Sequence, residues 1–429
     1  MSVELIAIII LLLMFIIGAV FPINIGVLGF VAAFIIGTLV SGIEIDTVFA
    51  GFPADLFVLL AGITFMFAIV QKTGTIDLIA NWGLKLVRGN LGLIPWVVFF
   101  LGTLLSSIGT SVIALASILA PIVLRLAYKY HINALMMGVM LIVGITAGAF
   151  SPLNLFGIIV SGIMETRAID HEALILFLDT FLFCLLVGVI TYVAMGGLKL
   201  IRVNSTEVQL RMAATTTEGA SEESSIENVT LNWQRFVTLL GVIALIVIAL
   251  GFDYNMGFSA FFIGLILAFI TPKIQSEVIK SMPWPAILMV TGIVTYVGVL
   301  EEIGALDYMT EIIASLDNSY IASLVASYTG GIISSFASTT GFLAAIIPLA
   351  TPILQDPTVS TTGVLAAISI SSSIVDLSPF STNGALLLSN ARPEDERSYF
   401  RQLLVMAALF VVAGPLLAWL LFVVIGTPW

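Results

Sequence analysis

Two apolar stretches of the chain are interrupted alike, one by Ser151-Pro152-Leu153-Asn154-Leu155-Phe156-Gly157 and the other by Ser378-Pro379-Phe380-Ser381-Thr382-Asn383-Gly384. Proline and glycine break a helix, and at membrane depth the freed backbone groups are tolerated only where they face protein or a polar cavity. Two such breaks in corresponding halves of a chain are typical of the binding site of a secondary transporter.

The composition is that of a polytopic membrane protein. Of the 429 residues, 60% are apolar and only 10% are charged, and the mean hydropathy is +1.17. Soluble domains carry about 25% charged residues, so this chain has too little polar surface for water. The formal charge of -11, without a basic cluster, argues against nucleic acid as a partner.

Other classes of site have little support in the sequence. The single cysteine, Cys184, excludes a disulfide within the chain, and His131 and His171 lack the spacing of metal ligands. No cofactor is expected, and an enzyme is not expected either. The N-terminus has no Lys or Arg before its first apolar run, so we expect a membrane span there and not a signal peptide.

The order of apolar segments repeats along the chain. In each half we expect three spans, an amphipathic segment (74–90 and 301–317), an interrupted apolar hairpin, a broken span and a final span. The arms of the first hairpin, near 93–128, have about 13 residues or roughly 20 Å of helix. That is short of the ~30 Å hydrocarbon core, which favours a re-entrant hairpin. The remaining segments are predicted at 3–20, 24–42, 56–71, 133–163 and 172–196, and then at 235–251, 257–271, 285–300, 319–355, 361–391 and 402–425.

The fold class predicted is therefore an all-α polytopic membrane protein with two inverted five-span repeats, each with a re-entrant hairpin and a broken helix. Gly62, Gly74 and Asp77 recur as Gly292, Gly304 and Asp307 at one constant spacing. The predicted organisation is scaffold (1–92), transport part (93–198), cytoplasmic linker rich in Ser, Thr and Glu (199–232), second scaffold part (233–318) and second transport part (319–429).

Charge gives an independent test of this topology. Of the 15 Lys and Arg residues, all except Arg167 fall on one side of the membrane. By the positive-inside rule that side is cytoplasmic. We therefore expect both termini to be extracytoplasmic in the cell (inner) membrane.

The candidate binding residues lie at the two hairpin tips and the two breaks. Helix N-termini there favour anionic groups, and hydroxyls and carbonyls at unwound segments coordinate Na⁺. A single Ser or Thr in such a chain is explained by helix packing, whereas clustered and repeated interruptions favour a site. The substrate candidates are Ser106, Ser107, Thr110, Ser111, Asn154, Ser338, Thr339, Thr340 and Asn383. The cation candidates are Gly109, Ser151, Asn154, Ser335, Asp376, Ser378 and Thr382.

Two acids lie within predicted spans. An ionised acid there costs about 2.5–3.5 kcal/mol on insertion scales, so Asp376 is predicted to bind a cation or carry a proton. The alternative is a hydrogen-bonded acid that steadies the break. Asp179 is nearer the outer surface, where capping a neighbouring helix and lining an outer vestibule both fit. Glu301, Glu302, Asp307 and Glu311 are interpreted as a solvated outer face.

This arrangement resembles the ion transporter superfamily, especially the divalent anion/sodium symporters. The first half, from Phe52-Pro53 to Ser151-Pro152-Leu153-Asn154, also resembles the MatC-type dicarboxylate carriers. The resemblance implies a dimeric, sodium-coupled (or proton-coupled) carrier of a small organic anion that works by an elevator movement.

In that family a Ser-Asn-Thr motif at each hairpin tip binds the substrate carboxylate. Here Ser338-Thr339-Thr340 has Thr in place of Asn, and the first tip offers only Ile108-Gly109-Thr110. The resemblance therefore carries substrate binding over to Thr110, Ser338 and Thr340, and cation binding to the breaks around Asn154 and Ser378. The departures from the motif favour another small acid as substrate.

Several other functions stay open. The membrane subunit of a tripartite carrier would share this architecture but depend on partner chains. A sodium/proton antiporter would depend on Asp376 and Asp179. A membrane-embedded enzyme and a channel have the least support, because the chain has no intramembrane His and inverted repeats are a carrier's device.

Overall fold

The computed structural model describes residues 2–21, 23–79, 91–201, 230–251, 254–305, 318–335 and 339–426. The structure is 82% helix, with no strand among these residues. This confirms the all-α class. Four predictions lie wholly or largely outside the described residues: most of the linker (199–232), the second part of segment 74–90, most of segment 301–317, and Ser338.

The first half of the chain contains ten helices whose bounds both lie within the described residues. The hairpin (α5 and α6) and the broken span (α7 and α8) fall at the predicted positions. The helices are α1 (Val3–Val20), α2 (Ile25–Ala32, continued by π-type turns at Ala33–Val40), α3 (Ile45–Ala50), α4 (Ala54–Lys72), α5 (Ile94–Ser107), α6 (Val112–Lys129), α7 (Ala134–Ala149), α8 (Leu155–Thr166), α9 (Ala173–Ala194) and α10 (Gly197–Ile201).

The second half follows the same order, with a hairpin (α15 and α16) and a second broken span (α18 and α19). A short 3₁₀ turn, Ile374–Leu377, follows α18. The helices are α11 (Trp233–Gly251), α12 (Met256–Ile270), α13 (Gln275–Ser281), α14 (Trp284–Glu302), α15 (Ser319–Ser334), α16 (Thr339–Leu349), α17 (Thr351–Leu354), α18 (Thr361–Ser373), α19 (Thr382–Ser389) and α20 (Glu396–Trp419).

Side-chain caps fix where several of these helices begin. Asn24 accepts a hydrogen bond from the Gly26 backbone N–H at 2.9 Å before α2, and Asn255 accepts one from Phe258 at 3.1 Å before α12. Asn133 caps α7 in the same way. An Asn or Ser at this position satisfies an N–H group that has no partner within the helix, so these polar residues end the loops and start the spans.

Six of the described helices are long and apolar enough to cross a membrane, or seven if the bent pair at 256–281 counts as one span. The protein is therefore a multi-pass membrane protein.

One expectation needs correction: α6 has 18 residues, not about 13, and is long enough to cross by itself. The last turns of α6 extend beyond its apolar part and include Arg125 and Lys129. Re-entry of the first hairpin and ten crossings stay predictions.

Glycines pack the two halves of the chain against each other. A β-carbon on Gly62 in α4 would be 2.2 Å from the carbonyl oxygen of Gly257 in α12. A β-carbon on Gly292 in α14 would be 2.0 Å from the carbonyl oxygen of Gly26 in α2. Only glycine allows helix backbones to approach this closely. Each contact joins one helix of the first half to one of the second.

The broken spans form the centre of the molecule. Every residue of α7 from Leu135 to Ala149 is buried, and so is every residue from Gly363 to Pro379. The hairpin helix α5 packs on α7, where Thr103 donates a hydrogen bond to the Gly144 carbonyl at 3.0 Å. The interrupted backbone is therefore surrounded by protein, as unsatisfied polar groups in a membrane require.

Candidate functional site

Asn154 joins the first break to the first hairpin tip. Its side-chain nitrogen donates hydrogen bonds to the Ser106 carbonyl at 2.7 Å, the Ser106 hydroxyl at 3.2 Å and the Thr110 carbonyl at 3.0 Å. Asn154 is fully buried, and it stands at the start of α8 without capping that helix. Its side chain therefore satisfies the unwound tip, and the first N–H groups of α8 are left without a side-chain cap.

Ser151 makes a second connection between the same two segments. Its hydroxyl donates to the Ser107 carbonyl at 2.6 Å and accepts from the Leu153 N–H at 3.2 Å.

Gly109 turns the tip with a φ of 100°, and a β-carbon there would be 2.4 Å from the Phe67 ring. A glycine is required at this position by both the backbone conformation and the space.

The two breaks have the same local geometry. The Ser151 carbonyl accepts from the Asn154 N–H at 2.9 Å, and the Ser378 carbonyl accepts from the Ser381 N–H at 2.9 Å. The Ser378 hydroxyl accepts from Phe380 at 3.3 Å, as Ser151 does from Leu153. A β-carbon on the last glycine of either motif would lie within 2.1 Å of the serine carbonyl oxygen. The repeated sequence therefore forms a repeated turn.

Asp376 supplies a buried acid at the second break. Thr339, the first residue of α16, donates its hydroxyl to the Asp376 carboxylate at 2.8 Å and lies 2.7 Å from the Ser334 hydroxyl. The nearby Ser335 hydroxyl donates within its own helix, to Gly331 at 2.6 Å. The carboxylate thus links the second hairpin to the second break.

One cavity of about 320 Å³ lies where these segments meet. This volume is at the lower end of the range of ligand pockets. Both halves of the chain contribute to its wall. The lining residues are Gly18, Ser111, Val112, Ile113, Leu155, Phe156, Pro283, Ala286, Thr339, Thr340, Asp376, Phe380, Ser381, Thr382 and Asn383.

Five helices begin at this cavity: α6, α8, α14, α16 and α19. Each N-terminus presents about half a positive charge and N–H groups without a partner in the helix. Side chains do not cap α6 or α8, whereas Ser381 caps α19 through the Gly384 N–H at 3.2 Å. Among the described lining residues there is no Lys, Arg or His, and Asp376 is the one ionisable side chain.

The predicted site residues separate into two groups. One group lines the cavity: Ser111, Thr339, Thr340, Asp376, Thr382 and Asn383. The other group lies outside the lining. The first tip and break in this group are joined by hydrogen bonds and comprise Ser106, Ser107, Gly109, Thr110, Ser151 and Asn154, whereas Ser335 and Ser378 bond within their own segments. Ser338 lies outside the described residues. The buried Asp179 in α9 is not part of the lining.

The sequence predictions missed the side of the cavity formed by Gly18, Pro283 and Ala286. These residues come from α1 and from the start of α14, which were interpreted as scaffold. They are small or apolar, so no hydroxyl or charge marks them in the sequence. Pro283, between α13 and α14, is the one residue of this group that a sequence pattern marks, because proline favours a turn before a helix.

An ion pair lies at the opposite end of α14. Arg167, which follows α8, is 10% exposed in its side chain, and it pairs with Glu301, which is 59% exposed. The exposure of the Glu301 side chain agrees with its interpretation as part of a solvated outer face. Its pairing with Arg167 connects the broken span to α14.

The first third of the chain matches a known protein family. Residues 1–149 match the family model described as the dicarboxylate carrier protein MatC N-terminus. The matched part covers α1 to α7 and includes the first hairpin. No curated protein sequence matches the chain.

Proposed function

We propose that this protein is a secondary active carrier that moves a small dicarboxylate across the cell (inner) membrane together with Na⁺ or H⁺. The observation that carries the proposal is the cavity at which five helix N-termini meet without a cationic side chain among the described lining residues. The similarity of residues 1–149 to a dicarboxylate carrier family supports the choice of substrate class.

The electrostatics of the cavity suit a carboxylate. The uncapped N-termini of α6 and α8 offer backbone N–H groups, and the Ser111 hydroxyl stands beside them. Hydrogen bonds from N–H groups to a carboxylate are charge-assisted and strong. A fixed Lys or Arg would hold an anion more tightly, but helix dipoles let a carrier release it.

The proposed arrangement has two inverted halves of five spans, each with a re-entrant hairpin. Contacts that occur in both halves support it. The turns at Ser151 and Ser378 share two hydrogen bonds, one to the serine carbonyl and one to the serine hydroxyl. The glycine contacts also repeat: α4 packs on α12, and its counterpart α14 packs on α2, the counterpart of α12. Inverted repeats place a substrate site at the interface of the repeats, near the middle of the membrane.

We propose that the carrier works as a homodimer by an elevator movement. The transport part (93–198 and 319–429) would slide along the scaffold (1–92 and 233–318). Contacts of α14 support this division: Pro283 and Ala286 reach the cavity, and the Met289 sulfur lies 2.6 Å from the β-carbon position of Gly341 in α16. Glu301 then pairs with Arg167 at the far end of α14.

The cavity lies beside the ends of the scaffold helices that the charge distribution assigns to the cytoplasm. Gly18 is close to the end of α1, and Pro283 precedes α14. Fourteen of the 15 Lys and Arg residues are predicted on that side, and Arg167 is predicted on the other. We therefore propose that the structure corresponds to an inward-facing carrier.

Uptake by the purified chain alone in proteoliposomes tests this function. A panel of C3 to C6 dicarboxylates is supplied with an inward Na⁺ gradient, with choline in place of Na⁺, and with a pH gradient. We expect uptake of at least one dicarboxylate that a cation gradient drives. Uptake that requires an added binding protein would instead identify the membrane subunit of a tripartite carrier. No uptake with or without partners would refute the proposal.

A sodium/proton antiporter is a second candidate, because Asp376 is the one acid that lines the cavity. An antiporter must protonate and deprotonate an acid in each cycle. Replacement of Asp376 by Asn would then abolish Na⁺/H⁺ exchange, and no carboxylate would be transported by the wild-type chain. Dicarboxylate uptake by the wild type excludes this candidate.

A further inference from the structure

A second cavity, of about 530 Å³, lies where α6 ends and where α7 and α20 begin. The charge distribution assigns this end of the helices to the cytoplasm. The cavity joins the loop between α6 and α7 in the first half of the chain to the start of α20 in the second half. None of the candidate site residues lines it. Its polar lining residues include Tyr128, His131, Arg392, Asp395, Ser398 and Gln402.

Tyr128 holds a cationic group at the wall of this second cavity. The guanidinium carbon of Arg392 lies 4.5 Å from the centre of the Tyr128 ring, and the Arg392 backbone N–H donates to the Tyr128 hydroxyl at 3.1 Å. Glu394 lies 3.8 Å from the guanidinium, beyond hydrogen-bond distance. A guanidinium stacked on a ring keeps its N–H groups free at the edge, where they bind phosphate in a bidentate manner. His131 supplies a further N–H donor in the same lining.

An acid lines the same cavity. Asp395 directly precedes α20, where an Asp side chain ordinarily caps a helix, but its carboxylate makes no cap hydrogen bond. Among the described residues no ion pair joins Asp395 to Arg392. The cavity therefore offers a cation and an anion that are not paired with each other. The carboxylate would repel a simple anion such as free phosphate, whereas a zwitterionic ligand would use both groups.

The face of α20 that carries these groups changes from polar to apolar along its length. Asp395, Ser398 and Gln402 line the cavity and lie on one face, since they are three or four residues apart. The apolar part of this face is between 45% and 65% exposed and is about 16 Å long, roughly the depth of one membrane leaflet. It consists of Val405, Leu409, Val412 and Leu416.

We propose that the second cavity binds the headgroup of a zwitterionic phospholipid, phosphatidylethanolamine, whose acyl chains lie along the apolar face of α20. Arg392 and His131 would bind the phosphate, and Asp395 would accept hydrogen bonds from the ammonium group. Pockets between membrane helices at the cytoplasmic side are places where lipid headgroups bind. The inference goes beyond the proposed carrier function and does not rest on it. The bound lipid would link the two halves of the chain, because both contribute to the cavity.

Soluble short-chain lipids test the proposal on the full chain. The protein is delipidated in detergent, and thermal unfolding is followed while dihexanoyl-phosphatidylethanolamine is added at constant ionic strength. We expect a saturable rise in Tm. Dihexanoyl-phosphatidylcholine has no ammonium N–H to donate to Asp395, so it should bind at least about tenfold more weakly, which corresponds to 1.4 kcal/mol. Equal binding of the two lipids would overturn the proposal.

Two further ligands separate the headgroup from its parts. Inorganic phosphate carries the anion alone, and dihexanoyl-phosphatidylglycerol carries a lipid phosphate without the ammonium. We expect both to stabilise the protein less than phosphatidylethanolamine does. Equal stabilisation by inorganic phosphate would identify a free-phosphate site, and equal stabilisation by phosphatidylglycerol would exclude the role of the ammonium. Either result overturns the proposal.

Asp395→Asn gives a result that a merely structural role would not produce. It removes the charged partner of the ammonium, so the variant should bind phosphatidylethanolamine and phosphatidylcholine alike. Arg392→Gln should weaken both lipids by about tenfold or more, since it removes charge-assisted hydrogen bonds to the phosphate. The matched controls are Glu396→Gln and Arg397→Gln, which change adjacent exposed charges that do not line the cavity. Wild-type discrimination in Asp395→Asn, or equal losses in Arg392→Gln and Arg397→Gln, would refute the assignment.

Discussion

Thr339 donates its hydroxyl to the carboxylate of Asp376 at 2.8 Å, which connects the first turn of α16 to the second break. The bond is buried, and it is part of the cavity wall. Thr339 is the one side-chain donor to the Asp376 carboxylate among the described residues, so the loss of its hydroxyl leaves the carboxylate without that hydrogen bond. The stability of the second hairpin tip and the properties of the cavity therefore depend on the same hydrogen bond.

Thr339→Val keeps the shape of the side chain and removes that donor. We expect a loss of about 1–3 kcal/mol of stability, as for a buried group left without its partner. Thr329→Val in α15 is the control, because the exposed Thr329 hydroxyl bonds only to the carbonyl one turn earlier, that of Val325. Thermal unfolding in detergent measures both. Equal shifts in the two variants would contradict the importance of the Thr339 bond.

Thr340→Phe should fill part of the cavity. A phenyl ring at this lining position would take up part of the cavity of about 320 Å³ and obstruct the wall that Thr340 shares with Thr339 and Asp376. We expect dicarboxylate uptake to be lost while membrane abundance is unchanged. The bulky change at the neighbouring tip, Thr110→Phe, should also abolish uptake, but by forcing apart the tip, because Thr110 is buried outside the lining. Unchanged uptake in both variants would refute the site.

Gly157→Ala and Gly384→Ala should be among the most damaging small substitutions in this chain. Each added methyl would lie within 2.1 Å of a serine carbonyl oxygen, and neither backbone can move without opening the break. We expect losses of about 1–3 kcal/mol or more from this overpacking. Gly188→Ala in α9 is the control, because its nearest neighbour would be at 3.5 Å. Normal yield and melting temperature in Gly157→Ala would show that the turn is more tolerant than its geometry indicates.

A link between Arg167 and Glu301 should stop transport if the scaffold and transport parts move against each other. Arg167→Cys with Glu301→Cys, in a Cys184→Ala background, provides two thiols for a short reducible crosslinker; Cys184 itself is buried. We expect uptake to cease on crosslinking and to return on reduction. Tyr128→Cys with Arg392→Cys is the control, because these neighbours both belong to the transport part. Persistent uptake by the crosslinked first pair would exclude the elevator movement.

Acid should reduce the stabilisation that Asp356 contributes to the loop before α18. Hydrogen bonds from Ser319 and then from Thr358 lower the pKa of Asp356 below its ordinary value of 3.8. A lowered pKa means that the ionised form is favoured in the folded protein, so this contribution is complete above pH 3.8 and is lost as the pH falls below it. The difference in melting temperature between the wild type and Asp356→Asn should therefore shrink in acid. A difference that is independent of pH would contradict this account.

Much of the fold could be predicted because its signals are local. Pro152, Gly157, Pro379 and Gly384 mark the breaks, and Asn24 and Asn133 mark helix starts through their caps. The observed helices begin and end close to the predicted spans. The predicted arm length of about 13 residues was wrong for α6, because the helix runs without interruption from Val112 to Lys129.

The site was harder to predict because it depends on packing between distant segments. The sequence suggests that Asn154 faces a ligand, but its amide points to the hairpin tip, at Ser106 and Thr110. Nothing in the sequence decides between these directions. Pro283 and Ala286 reach the cavity through the placement of α14, and apolar residues carry no local sign of such a role.

The glycine contacts between halves have a consequence for synthesis. Gly26 and Gly62 are translated long before Gly292 and Gly257, their partners in α14 and α12. Until the ribosome has delivered those helices, the early ones carry bare backbone grooves that only lipid can cover. A truncated chain that stops before α11 would keep those grooves permanently open, which makes it a natural target for the proteases that clear orphan membrane segments.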